Sequence, residues 1–204
     1  MKKLSVNNKN IDTILVLDFG SQYTQLIARR VRELGVYCEI YNHRASFKAI
    51  KDFNANGIIL SGGPDSVNEG RAARAPKIVF DLKVPILGIC YGMQTMAVQL
   101  GGKVDTSDIR EFGYAQVTVE GRSSLLSKIK DHVDNENKAL LDVWMSHGDK
   151  VQQVPDGWII TSKSDNDIIS SAENLNLKLY GVQFHLEVSH TLCGSITVSY
   201  THLT

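Results

Sequence analysis

Short, unbroken apolar runs that end at or beside a glycine recur through the first half of this chain, and each is followed by a segment of helical spacing. The run ILVLDFG, from Ile14 to Gly20, is continuous rather than alternating, which fits a strand buried on both faces. From Tyr23 to Leu34 the apolar Leu26, Ile27, Val31 and Leu34 recur at helical intervals, and Gly35 supplies a left-handed stop. A strand follows from Val36 to Tyr41, then a polar connection with a short helix, then the strand Gly57 to Leu60 ending in SGGP. Pro85 to Ile89 is the next strand, and Met93, Met96, Ala97 and Leu100 mark the helix after it, ended by Gly101 and Gly102. Strands that alternate with helices in this way predict an α/β fold built on a parallel sheet.

Beyond Gly102 the pattern changes. Tyr114 to Glu120 alternates like a half-exposed strand, and the polar stretch Lys128 to Lys138 reads as a surface excursion. Val143 to Gly148, Trp158 to Thr161 and Leu179 to Phe184 are further strand candidates. No internal repeat or linker interrupts the chain, and its 204 residues suit one domain.

Composition excludes some partners. Twenty-two basic residues balance twenty-two acidic ones, so no global field points to nucleic acid or an anionic membrane. The basic start is followed by polar residues where a signal peptide needs its apolar segment, and no run approaches a membrane span. Cys38, Cys90 and Cys193 are odd in number and lack CxxC spacing, which argues against a disulfide framework or a metal site. A cytoplasmic protein is expected.

Cys90 has the chemistry-bearing position. It falls where an apolar strand becomes a helix, at the carboxyl end of a parallel strand, where ligands collect in open sheets. GICYG, from Gly88 to Gly92, has the form of a strand-turn-helix elbow whose glycines permit a tight turn that presents the central side chain. The unpaired N–H groups of the following helix favour thiolate over thiol. A small buried hydrophobe is the alternative for such a cysteine, and a partner base decides between them. Cys38, inside a strand, and Cys193, in the tail, are expected to be inert.

That base is sought in GVQFHLEV, from Gly181 to Val188. In an extended chain His185 and Glu187 project to one side and Leu186 to the other, so the carboxylate can hold the imidazole. A cysteine nucleophile needs a base to take and return its proton, and the base needs an orienting group on its second nitrogen. LSGGP, from Leu60 to Pro64, stands one strand before the elbow, and N–H groups of such a turn can point at a developing oxyanion, as can that of the residue after the nucleophile, Tyr91.

In this order, LSGGP, GICYGMQ and GVQFHLEV resemble the class I glutamine amidotransferases, and the likeness runs from about Ile11 to Thr191. The segments ILVLDFGSQYTQLIARRVRELGVY, REFGYAQV and VWMSHGDKV are similar to the GMP synthase branch of that family. The resemblance implies a single-domain, mostly parallel doubly wound sheet with an added antiparallel strand region. It implies Cys90 as nucleophile, His185 as base and Glu187 as orienter, with Gly63 and Tyr91 forming the oxyanion hole. Gln94, and the backbone around Ser146, His147 and Gly148, would contact the substrate, L-glutamine. No metal or cofactor is implied in this chain. ATP and Mg2+ would serve an ATP-dependent synthetase domain or subunit, absent here, that aminates XMP to GMP with the ammonia released.

Two departures stand out. The family usually carries proline between the histidine and the glutamate, and Leu186 occupies that place, freeing a dihedral that proline would fix. Residues 1–191 are expected to form the glutaminase domain, whereas 192–204 lose the family pattern. VSYTHL, from Val198 to Leu203, matches one frame of a transposon-adapter sequence, so the tail is expected to be an assembly artefact on a truncated gene. Two other functions fit the same residues: a cysteine hydrolase acting on γ-glutamyl or peptide substrates, and a noncatalytic glutamine-sensing module.

Overall fold

A computed structural model describes residues 12–120, 123–126, 129–191 and 194. The tail segment Val198 to Leu203, Cys193 and His202 lie outside the described residues. The elements run β1 (Thr13–Asp18), α1 (Thr24–Glu33), β2 (Tyr37–Asn42), α2 (Phe47–Phe53), β3 (Gly57–Leu60), α3 (Ile78–Asp81) and β4 (Ile86–Ile89). After these come α4 (Tyr91–Gln99), β5 (Lys103–Val119), β6 (His132–Val133), β7 (Ala139–Gln153), β8 (Ile159–Ser164), β9 (Ile169–Asn174) and β10 (Leu179–Val182).

The strands form one sheet in the order β2-β1-β3-β4-β10-β9-β8-β5-β7-β6. Pairings from β2 through to β10 are parallel, and from β10 outward they are antiparallel. The single α/β sheet with an antiparallel region therefore matches the sequence expectation. β10 closes the parallel half: it returns from the antiparallel region to lie beside β4, with Val182 opposite Ile89. That return puts the chain after β10 next to the chain after β4.

Two cores, one on each sheet face, follow from the pleat. Ile14 and Val16 pack with Ile27, Ala28 and Val31 of α1, whereas Leu15 and Leu17 pack with Ile50 of α2, Val79 of α3 and Met93, Met96 and Ala97 of α4. Successive residues of β1 thus serve opposite faces, which is why the parallel strands read as unbroken apolar runs. Burying one such Leu or Ile contributes roughly 1.5–3 kcal/mol.

The antiparallel half departs further from the sequence reading. β5 and β7 are 17 and 15 residues long, well beyond the short strands expected at Tyr114 to Glu120 and Val143 to Gly148. Ile169–Asn174, unassigned from sequence, is β9, with all six residues buried. It is polar, ISSAEN, and its side chains are satisfied internally: the Ser171 hydroxyl meets those of Thr161 and Ser162 at 2.6 and 2.7 Å. Glu173 accepts from the Ser124 and Leu125 N–H groups and from the Ser124 hydroxyl. The expected strand Leu179 to Phe184 ends at Val182, so His185 and Glu187 lie in a bend rather than on an extended strand.

Candidate active site

Cys90 is the N-cap of α4 at φ 51° and ψ −109°, a backbone conformation that non-glycine residues rarely adopt. The positive φ belongs to the cysteine itself. Its flanking glycines serve close approach instead: a Cβ on Gly88 would sit 2.7 Å from the Gly92 carbonyl, and one on Gly92 would sit 2.2 Å from the Leu60 oxygen. The turn is held by the Cys90 N–H donating to the Val182 carbonyl at 2.8 Å and the Gln94 N–H donating to the Cys90 carbonyl at 3.1 Å. β10 is therefore hydrogen-bonded to the elbow itself.

The bend after β10 delivers the histidine. The His185 Nδ1 and a Glu187 carboxylate oxygen lie 2.6 Å apart, both residues buried, and the Cys90 thiol is near enough to the same ring to raise its pKa. Burial pushes the imidazole towards neutrality, but the hydrogen bonds and negative charges of Cys90 and Glu187 outweigh it and hold its pKa up at about 10. The three residues predicted from GICYG and HLE are thus together. They meet through a bend that brings the carboxylate back onto the ring, not through the same-side projection of an extended strand.

Leu186 is buried and fills the core beneath the parallel sheet. Without a proline, hydrogen bonds fix the segment: the His185 N–H donates to the Trp144 carbonyl at 3.0 Å, and the Thr191 hydroxyl donates to the His185 carbonyl at 2.5 Å. Arg30, from α1, donates to the Glu187 carbonyl at 3.1 Å.

Beside the sulfur lies a cavity of about 440 Å³, within the range of small-molecule sites, roughly 300–1,000 Å³. Gly63, Cys90, Gln94, Ser146, His147 and Gly148 all contribute to its wall, so the structure gathers these sequence-predicted residues. Tyr91 opens α4, and its buried ring packs against Phe19. Gly63 is wedged between these two residues, since a Cβ there would sit 3.0 Å from the Phe19 carbonyl and 3.1 Å from the Tyr91 ring. The Gln94 amide nitrogen is already engaged, donating to the Asp149 carbonyl at 3.0 Å and to Gln183 at 3.3 Å. The Ser146 carbonyl lies 3.6 Å from the sulfur.

Other residues of the site were not singled out from sequence. Gln183, fully buried, donates to the Cys90 sulfur at 3.6 Å. Asp149 stands on the cavity wall, where its carboxylate accepts from the Ser66 hydroxyl at 2.5 Å, and Asp65 and Glu69 add further carboxylates. Gln183 and Asp149 lie inside the quoted GVQFHLEV and SHGDKV, but a polar residue in a short motif carries no sign of which way it points. Cys38 meets the expectation of an inert thiol: it is buried, donates to the Ala28 carbonyl, and burial pushes its pKa up. His190 packs against Trp144 with the rings tilted, at a ring separation of 4.6 Å. Among the described residues no cluster of side chains is suited to a metal ion, and no helix is long and apolar enough to cross a membrane.

Comparison with known proteins matches the geometry. The model of the family described as glutamine amidotransferase class-I matches residues 15–199. The chain is 59 % identical over 186 residues to a glutamine-hydrolysing GMP synthase of Pseudomonas entomophila (strain L48), covering 91 % of this chain and 35 % of the relative. It is 60 % identical over 181 residues to one of Cellvibrio japonicus (strain Ueda107), covering 89 % and 34 %. The chain thus spans about a third of the length of the curated relatives it matches. Among solved structures, a protein of Thermoplasma acidophilum described as a GMP synthase subunit superposes with a TM-score of 0.77 at 26 % identity, over 94 % of this chain and 92 % of that one. A glutamine amidotransferase of Thermotoga maritima, at 20 % identity and a TM-score of 0.67 over 87 % and 77 % of the two chains, shares the fold. By sequence and by architecture, the chain belongs to the class I glutamine amidotransferases.

Proposed function

We propose that this chain hydrolyses L-glutamine to glutamate and ammonia through a thioester on Cys90, and that the ammonia serves a GMP synthase synthetase part that aminates XMP to GMP. The observation that carries the hydrolytic step is the buried His185–Glu187 pair beside Cys90, which itself lines a small-molecule cavity. The assignment to GMP formation rests on the names of the relatives.

In the proposed reaction the Cys90 sulfur, its proton held by His185, attacks the side-chain amide carbon and pushes the carbonyl electrons onto oxygen. N–H groups of Gly63 and Tyr91 receive that oxyanion, each worth on the order of a hundredfold to a thousandfold in rate. His185 protonates the leaving nitrogen, the C–N bond breaks, and ammonia departs. Water then loses a proton to His185 and adds to the thioester, the C–S bond breaks, and glutamate leaves with the sulfur restored. Glu187 keeps the imidazole in the required orientation throughout. Asp65, Glu69 and Asp149 make the cavity wall anionic, which suits the α-ammonium of free glutamine. Gln94 and the Ser146–Gly148 backbone flank the same space.

ATP and Mg2+ belong to the synthetase reaction in this scheme, and the glutaminase step uses neither. The test is glutamate production from glutamine, measured with the chain alone and with a matching synthetase supplied with ATP, Mg2+ and XMP. The proposal expects glutamate in both, and GMP formed from glutamine only when both proteins are present. Glutamate absent under both conditions would overturn the hydrolytic assignment, and glutamate without glutamine-dependent GMP would overturn the pathway assignment.

A further inference from the structure

The cavity wall contributed by β7 is held from behind by a buried pair that takes no part in the relay. The His147 ring and the Glu111 carboxylate are both nearly inaccessible, at 1 % and 6 % side-chain exposure, with Nε2 and Oε2 3.3 Å apart. On its other side the His147 Nδ1 lies 2.9 Å from the Asp149 carbonyl. A carbonyl can only accept, so Nδ1 carries a proton, and a neutral ring would turn an Nε2 lone pair toward a carboxylate. The contact is favourable when the ring is protonated at both nitrogens. Nε2 and Oε2 are at ion-pair distance, and neither completes a hydrogen bond elsewhere among the described residues, so each is the other's nearest polar partner in the buried pair. Glu111 is tethered in turn by the Ser164 hydroxyl at 2.7 Å and the Asn166 amide at 3.0 Å.

The place of this pair in the sheet gives it a consequence for the site. β5 and β7 pair in regular register from Glu111 opposite His147 to Thr118 opposite Leu140, and again at Thr106 opposite Asp149. Between Thr106 and Glu111 the register breaks: five steps along β5 match two along β7. The break falls beside Gly148, within the stretch whose backbone faces the cavity. A ladder interrupted there cannot fix that backbone by itself, and a buried polar pair is a known means of specifying register. The Asp149 carbonyl, gripped by His147 on one side and Gln94 on the other, ties the break to α4.

We infer that Glu111 and His147 are positioning residues that set the glutamine-binding wall, Ser146 to Asp149, and so govern substrate affinity rather than the chemistry at sulfur. This deepens the glutaminase assignment and rests on it. Removing the carboxylate, Glu111→Ala, is expected to raise the KM for glutamine about tenfold or more while kcat at saturation stays within about threefold. Glu111→Gln keeps an acceptor for Ser164 and Asn166 and offers its amide N–H to a neutral His147 Nε2, so it is expected to recover most of the affinity.

Two readouts separate this inference from the function beneath it. Hydrogen exchange of the Ser146 to Asp149 amides needs no turnover, and Glu111→Ala should accelerate it at least tenfold while the amides of β1, β3 and β4 keep their protection. Unchanged exchange at Ser146 to Asp149 would overturn the inference even if glutamine hydrolysis stands. So would a loss confined to kcat, or a Glu111→Gln variant as impaired as Glu111→Ala. Absent glutaminase activity in the unmutated chain would sink the function, while the exchange comparison would still decide whether the pair sets the wall.

Discussion

At the scale of single residues, the site works by placing ordinary groups where their alternatives are closed off. Cys90 adopts a positive φ in a turn held by its hydrogen bonds with Val182 and Gln94, and the sulfur of Cys90 and the carboxylate of Glu187 keep the buried His185 charged. Replacing Glu187 with Gln should retain the packing but remove the charge that steadies the imidazole. The expected result is a fall in glutamine hydrolysis of roughly a hundredfold to ten-thousandfold, with the circular dichroism spectrum unchanged. Gly63→Ala is expected to lower kcat by about a hundredfold, because the added carbon must displace Phe19 or Tyr91 and so shift an oxyanion donor. Steady-state kinetics of the two variants checks both. The sequence carried the identities of these residues well: GICYG announced an elbow, and HLE announced a base with its orienter. Gln183 and Asp149 escaped notice because their importance depends on the bend after β10 and the register of β7, which local spacing does not encode.

At the scale of elements, the glycines of the elbow are packing devices. Gly92 lies so close to the Leu60 carbonyl that alanine cannot be accommodated without moving α4 away from β3. Gly92→Ala is therefore expected to destabilise the fold by about 3 kcal/mol, lowering the melting temperature by roughly 6–12 °C. Gly101, at φ 97° with open space around it, should tolerate asparagine far better, and thermal denaturation of the two variants gives the contrast. The parallel strands were legible because burial on both faces leaves an apolar run. β9 was not, since it carries only two apolar residues, and Ser171 and Glu173 are satisfied by partners from β8 and the turn at Ser123 to Leu125. Hydrophobic periodicity has nothing to report for a strand stabilised in that way. The outer lengths of β5 and β7 were missed for a related reason: inward residues such as Glu111, His147 and Asp149 are polar and buried through pairing.

At the scale of the whole molecule, stability and pH are linked through two buried groups with displaced pKa values, His185 in the site and Glu111 behind its wall. His185 has its pKa raised from 6.5 to about 10, so its contribution is fully present below about pH 6.5 and is lost as pH rises through about 10. For Glu111 burial opposes ionisation, but His147, Asn166 and Ser164 outweigh it and lower the pKa from 4.5 to about 2, so its contribution is present above 4.5 and lost as pH falls through about 2. Urea denaturation across pH should show stability declining on both limbs. Glu187→Gln should flatten the alkaline limb, and Glu111→Gln the acid one. An alkaline limb as steep in Glu187→Gln as in the unmutated chain would contradict the assigned origin of the His185 shift.

The relay itself is tested most directly by acid-quenching the protein during reaction with L-glutamine and weighing its Cys90-containing peptide by mass spectrometry. A γ-glutamyl group bound to that peptide, labile to hydroxylamine and absent from Cys90→Ala, is the predicted result. Ammonia release by Cys90→Ala at the rate of the unmutated chain, with no acyl group on the Cys90 peptide, would contradict it.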